Sequence, residues 1–331
     1  MESGRCVAWI DETHGQANWS QTGFGPRLCT ANFRGLAETM QEMGADCIRL
    51  TAKPLAPRFP DVRLAVVPPP TGTYDPEQEC WRRDPGSLFT SEDLYCLLGF
   101  VRDGGSLLLF AYRFGDGFTQ TNLQDLIGPL GCHLNEDAII DLTRLRDVHP
   151  LQFCFETPPD ALRMPWSMKG VQSVFWRSVA TFTILPGATA HPLAYSPGGR
   201  CISFDRLRRR ICFQSLPVAV AGTFGRGKFA LFGGPHLFEV GPLGLLEAGQ
   251  NRRFLRNTLT WLLNDQCADL HAAGPQPEDE MSALLAVANE HWRELCQIEG
   301  TGDGSQVVAF VERVLRETGV MKALARPTWM P

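Results

Sequence analysis

Short apolar runs alternate with stretches of helical period along the first half of the chain. Cys6 to Ile10 is an apolar run of strand length, and Cys47 to Leu50, Val62 to Val67 and Ser106 to Phe110 repeat it. Runs of this kind, bounded by turn residues, mark strands buried on both faces. Between them, Leu36, Met40 and Met43 share one face of a segment that Asn32 is placed to cap and Gly44 to end. Thr90 and Asp93 have the spacing of a capping box and open a predicted helix to about Arg102. Pro68, Pro69 and Pro70 stop the third strand, since proline cannot donate to a ladder. Strands alternating with helices predict an α/β fold built on a doubly wound, mostly parallel sheet.

The pattern changes after a short helix predicted over Thr119 to Ile127. From Gly131 to about Phe224 the apolar segments are short and broken by proline and glycine: Gln172 to Trp176, Ala180 to Leu185, Cys201 to Phe204, Ile211 to Phe213. They read as antiparallel strands, either a β-rich insertion at 131–224 or an extension of the sheet. Gly225-Arg226-Gly227 then turns into a core strand, Lys228 to Phe232. A helix over Gln250 to Leu263 turns Phe254, Leu255, Leu259 and Leu262 inward. A linker, 265–278, contains Ala272-Ala273-Gly274-Pro275-Gln276-Pro277 and separates this α/β domain, 1–264, from a helical tail, 279–331. The tail's helices are predicted at Glu280 to Gln297 and Gln306 to Glu317.

Composition narrows the class. An apolar fraction of 44% and a charged fraction of 20% in 331 residues suffice for a globular core. No run approaches the ~18 apolar residues of a membrane span. Met1 to Arg5 lacks a signal-peptide layout. A cytoplasmic protein with no membrane partner is expected. The eleven cysteines form no CxxC, so reduced, mostly buried thiols are expected in place of a zinc site or disulfide framework. The net charge of -5 is concentrated at the end, where residues 265–331 hold 11 acidic and 5 basic side chains. Without a basic face, no nucleic-acid partner is expected. The tail's apolar stripes (Leu284, Leu285, Trp292 and Leu295, then Val307, Val311 and Leu315) suit a docking element for a protein partner, or equally packing onto the main domain.

The candidate chemistry sits at strand ends, where open parallel sheets bind ligands. The first strand runs into Asp11-Glu12-Thr13-His14-Gly15-Gln16. Asp11, Glu12 and His14 are able to do acid–base work or hold a metal; alternatively, Asp11 caps backbone amides and His14 bonds the next turn. His236 follows the last strand, and Tyr112 and Arg113 follow the fourth. Arg113 has the chemistry to bind an anionic ligand or to pair with Asp11 or Glu12. Asp11, His14, Gln16, Tyr112, Arg113 and His236 form the candidate pocket for a small-molecule ligand. The basic cluster Arg206, Arg208, Arg209 and Arg210 fits a solvated turn. No spacing specifies a metal, and Gly225-Arg226-Gly227 lacks the helix start and Lys-Ser/Thr of a phosphate loop, so no cofactor is expected.

The opening Ile-Asp-Glu-x-His-Gly-Gln, the strand Asp-Gly-Gly-Ser-Leu-Leu-Leu-Phe, and Gly-Arg-Gly-Lys-Phe-Ala-Leu-Phe-Gly-Gly-Pro-His with its terminal Trp-Leu-Leu helix together resemble class I glutamine amidotransferase-like domains. The resemblance covers about residues 5–264, with 131–224 poorly matched. It is to the non-amidotransferase branch, which includes GIFT-type domains of intraflagellar transport proteins and bacterial proteins related to gliding-motility components. It implies a flavodoxin-like sheet with its pocket over the strand ends. True amidotransferases carry a nucleophilic cysteine on the turn after the fourth strand, which here reads Ala111-Tyr112-Arg113-Phe114-Gly115. Without a thiol beside a base, amide hydrolysis by that route is absent. His236 falls where the superfamily carries its triad histidine, with Glu239 one position late. Two readings stay open. One is a catalytically inactive ligand-binding or scaffolding module in a multiprotein assembly. The other is a hydrolase or lyase acting on a small or sugar-like substrate through Asp11, Glu12, His14 and His236.

Overall fold

The computed structural model describes residues 6–14, 33–50, 62–75, 80–141, 154–198, 201–205, 211–212, 214–240 and 244–264. Seven strands form the central sheet: β1 (Cys6–Asp11), β2 (Ala45–Leu50), β3 (Val62–Val67), β4 (Ser106–Phe110), β5 (Ala190–Tyr195), β6 (Pro217–Phe224) and β7 (Gly227–Phe232). Their spatial order is β5-β6-β7-β4-β3-β1-β2. The pairs β2–β1, β1–β3, β3–β4 and β4–β7 are parallel, whereas β6 meets β7 and β5 meets β6 antiparallel. The fold is therefore α/β and flavodoxin-like, its parallel sheet extended on one side by an antiparallel pair.

Every side chain of β4 and β7 is buried, as expected of strands covered on both faces. Alternation sends neighbouring residues to opposite cores. Leu64 and Val66 join Leu36 and Met40 of α1 (Arg34–Glu42) and Phe254, Leu255 and Leu259 of α3 (Asn251–Leu263). Ala65 and Val67 join Leu97 and Val101 of α2 (Ser91–Arg102) on the other face. Two layers of helix around one sheet follow from that period of two.

Thr90 and Asp93 make the expected capping box at the start of α2. The start of α1 differs: Phe33 precedes it without a side-chain cap, and Asn32 lies outside the described residues. The single helix predicted over Thr119 to Ile127 is two, Gly115–Thr119 and Leu123–Ile127. Gln120 breaks it by adopting a left-handed φ of 58°. The Asp116 carboxylate accepts from the Leu123 and Gln124 amides, both at 2.8 Å, and so starts the second helix. At the far end of α3, buried Lys228 donates to the carbonyls of Trp261 (2.9 Å) and Asn264, and Ser106 Oγ donates to that of Leu262 (2.6 Å). The first residue of β4 and the second of β7 thus satisfy carbonyls that a helix C-terminus leaves open.

Outside the sheet, Asp137–Asp141 pairs with Cys201–Asp205, Cys132–Leu134 with Phe182–Ile184, and Cys154–Thr157 with Val174–Arg177, all antiparallel. Cys47, Cys96, Cys132, Cys201 and Cys212 form no disulfide, and burial pushes the Cys132 thiol pKa up to about 12. No helix among the described residues is long and apolar enough to cross a membrane. Gln16, the Arg206–Arg210 cluster, the linker and the helical tail lie outside the described residues.

Candidate functional site

Two histidine–carboxylate pairs stand at the carboxyl edge of the sheet. The first begins where β1 ends. Asp11 Oδ1 accepts from the amide and the hydroxyl of Thr13, each at 2.8 Å, an Asx-type turn that brings the chain back on itself. His14 consequently lies against its own strand end, with Nδ1 2.6 Å from Asp11 Oδ2. Its Nε2 is 3.3 Å from Asp93 Oδ2, and its ring stacks on Phe89 at 4.0 Å. Asp93 Oδ2 also accepts from the amide and hydroxyl of Thr90, so one carboxylate serves both the helix cap and the imidazole. Asp11 and His14 are 0% exposed. An acid–imidazole–acid chain therefore ties the end of β1 to the start of α2.

Glu12 faces elsewhere. Both its oxygens accept from the Arg49 guanidinium on β2, at 2.7 and 2.6 Å, and this partner raises the Arg49 pKa. With Glu12 held there, the Arg113 guanidinium lies over the rings of Tyr112 (5.5 Å) and Phe118 (5.3 Å).

The second pair follows β7. Gly233 is required where it stands, since a Cβ there would meet the Ala180 carbonyl oxygen at 1.9 Å. The chain then makes a 3₁₀ turn over His236–Phe238. Three residues per turn place position i+3 above position i, so Glu239 returns to His236, with Oε2 2.5 Å from Nδ1. Both side chains are buried. His236 Nε2 takes no hydrogen-bond partner among the described residues, and the ring meets Tyr112 edge-on at 5.8 Å.

Tyr112 belongs to the turn after β4, where the backbone is strained. Phe114 has φ 60° and ψ 13°, a left-handed conformation that a bulky side chain rarely adopts. The other non-glycine residues of positive φ among those described are Gln120 (58°) and Ser178 (54°). All three converge here. Phe114 and Gln120 flank the helix Gly115–Thr119, and the Ser178 carbonyl accepts from the Arg113 amide at 3.2 Å. The Phe114 amide donates to the Asp137 carbonyl at 2.6 Å. Strain of order 1–3 kcal/mol per residue persists only where neighbours over-determine it, and such positions cluster at functional sites. A sharp strand–turn–helix with a strained residue is the geometry of a nucleophile elbow. In this chain the strained residue of the turn is Phe114.

The structure accordingly groups Tyr112, Arg113 and His236, and groups Asp11 with His14. The loop after β3 runs between the two, its Thr71 amide donating to the His14 carbonyl (3.4 Å) and its Gly72 amide to that of Thr119 (2.8 Å). Sequence reasoning missed Phe89, Phe118, Asp137 and Ser178 as parts of this edge. It placed Asp93 only as a cap. No spacing signals these contacts, which join residues far apart in the chain.

No family model and no curated protein sequence matches the chain. Among solved structures it is similar to the mmIFT52 N-terminal domain, with a TM-score of 0.58 at 15% identity, covering 80% of this chain and 99% of that one. A ThuA-like protein from Parabacteroides merdae has a TM-score of 0.45 at 11% identity, covering 83% and 94% of the two chains. A β-galactosidase from Bacillus circulans sp. alkalophilus has 0.44 at 12%, covering 82% of this chain and 33% of the enzyme. At these identities the likeness is one of fold alone.

Proposed function

We propose that this chain is an amidotransferase-like domain without glutaminase chemistry, serving as a ligand-binding or scaffolding module of a cytoplasmic multiprotein assembly. The observation that carries this reading is Phe114 at the strained position of the elbow. The turn keeps the backbone geometry that would present a nucleophile, and the His236–Glu239 pair beside Tyr112 keeps an oriented imidazole, yet the side chain offered is an aromatic ring. Cys–His chemistry needs the thiolate itself. What remains is a preorganised edge with a tyrosine, an arginine and a histidine, suited to recognition. The Asp11–His14–Asp93 chain, wholly buried, acts in this reading as the latch that holds the edge together. The predicted helical tail, at least in part, serves as the attachment point to a protein partner.

The test is a pair of measurements on the full chain. Incubation with glutamine should release no ammonia above a His236→Ala control, and affinity capture from the source cells should recover a partner or ligand that Tyr112→Ala/Arg113→Ala loses. Equal capture by both forms would remove this edge as the functional surface. The hydrolase or lyase reading draws on a single feature, the carboxylate-oriented His236 with Nε2 unclaimed, which is how a general base is held. Turnover of p-nitrophenyl glycosides or esters that vanishes in His236→Ala would put that reading in place of the first.

A further inference from the structure

A groove of about 660 Å³ runs along α3, between that helix and the short helix Pro165–Met168, away from the strand-end crevice. Trp166 and Trp261 form its aromatic wall, stacked at 4.7 Å and within 3° of parallel. Lys228 Nζ lies 5.4 Å from the centre of the Trp261 ring. The indole N–H groups of Trp166 and Trp261 have no hydrogen-bond partner among the described residues. Lys169 and Arg253 stand exposed on the rim, and no carboxylate is among the described residues that line the groove. Those N–H groups are buried, so what the site presents is two cations and an aromatic surface. An acidic occupant with an apolar stripe would complement both.

The chain itself supplies one. Asn264, part of the groove lining, is the last described residue, and residues 265–331 continue from it. Their acidity is uneven. Residues 278–299 hold six acidic side chains (Glu278, Asp279, Glu280, Glu290, Glu294 and Glu299) against the one basic Arg293, whereas 306–317 balance two against two. Leu285, Ala288, Trp292 and Leu295 recur at the three-and-four spacing of one helix face. The stretch from Asn264 to Glu278 can span up to about 45 Å at about 3.3 Å per residue, and α3 is about 20 Å long, so the segment has the reach to fold back. A tether of this length also gives a high effective concentration.

We propose that residues 278–299 of this chain seat in the groove, acidic side chains meeting Lys169 and Arg253 and the apolar stripe lying on Trp166. The charge-balanced 306–317 segment is then left to engage a partner. This inference does not rest on the reading of the strand-end crevice, and its test reads a different part of the molecule. Hydrogen–deuterium exchange on the full chain should show amides of 280–297 protected in the wild type and exchanging at least tenfold faster in Lys169→Glu/Arg253→Glu. Adding Glu290→Lys/Glu294→Lys to that variant should restore protection. Arg253 also donates to the Gly170 carbonyl (3.1 Å), so Lys169→Glu/Thr260→Glu, which leaves that bond intact, provides the same reading if the first variant unfolds. Equal exchange in wild type and reversed forms overturns the proposal. Protection that rises with protein concentration also overturns it, and assigns the groove to a second copy of the chain.

Discussion

The two histidine–carboxylate pairs at the sheet edge use the same local arithmetic and end in different circumstances. Asp11 and His14 are three residues apart, as are His236 and Glu239, and each acid reaches Nδ1 of its histidine. What separates them is the other ring nitrogen. In His14, Nε2 is claimed by Asp93 at the start of α2, and the ring is closed in by Phe89. In His236, Nε2 is unclaimed among the described residues and the neighbour is Tyr112, on the strained turn after β4. An imidazole held by one carboxylate is oriented; an imidazole held between two is a structural joint. The comparison supports a stabilising role for the first pair and leaves the second as the candidate for the recognition proposed above.

The largest expected effect tests that division. His14→Ala leaves buried Asp11 without its imidazole and removes one tie to α2, and breaking a buried pair from one side costs about 3–5 kcal/mol. His236→Ala likewise leaves buried Glu239 without its imidazole, but it breaks one carboxylate contact where His14→Ala breaks two, so its cost should be the smaller, near the lower end of that range at about 3 kcal/mol. Urea unfolding of both variants measures the difference, and equal losses would erase the distinction between joint and site.

A smaller effect concerns the support of the elbow. Asp137, whose carbonyl holds the Phe114 amide, has a buried carboxyl hydrogen-bonded by the Thr181 amide (2.7 Å) and hydroxyl (2.6 Å) and by the Ser203 hydroxyl. Burial pushes its pKa upward, against those hydrogen bonds, which pull it down. The folded state then keeps a proton that the unfolded chain releases. Its contribution to stability is present below the ordinary carboxylate value of about 4 and is lost as pH rises through the raised folded value. Asp137→Asn should flatten that decline in unfolding free energy measured from pH 4 upward, and an unaltered slope would contradict the assignment.

The smallest effect probes the strain. Ser178→Gly places a residue indifferent to positive φ where a serine now sits at 54°. The strain released, about 1–3 kcal/mol, exceeds the roughly 0.4–1 kcal/mol by which glycine's added freedom favours the unfolded chain, so a net gain in unfolding free energy is expected, with the capture of a partner or ligand unchanged. Loss of stability there would mean that the turn is not strained, and would weaken the case for the elbow as a preorganised feature.

Much of the scaffold was legible in the order of residues. Burial on both faces demands unbroken apolar runs, so β3 and β4 announce themselves, and the capping box at Thr90 and Asp93 marks the start of α2 because an exposed helix start needs those donors satisfied. Short-range chemistry of this kind depends on neighbours a few residues away, and the chain records it directly. The strand ends that carry Asp11, Tyr112 and His236 were legible for the same reason. Their grouping was not. Asp93 is 79 residues beyond His14, and the bond between them exists only because the packing of α2 on the sheet, against β4 and β7, brings its first turn to the end of β1. The broken helix at Gln120 and the 3₁₀ turn that brings Glu239 to His236 depend on backbone angles that residue type alone leaves open. The left-handed Phe114 is likewise imposed by carbonyls from Asp137 and the segment around Ser178, whose positions the tertiary packing sets. Sequence by itself determined which groups reach the edge of the sheet. Packing decided which of them meet, and so which histidine is a joint and which is a candidate site.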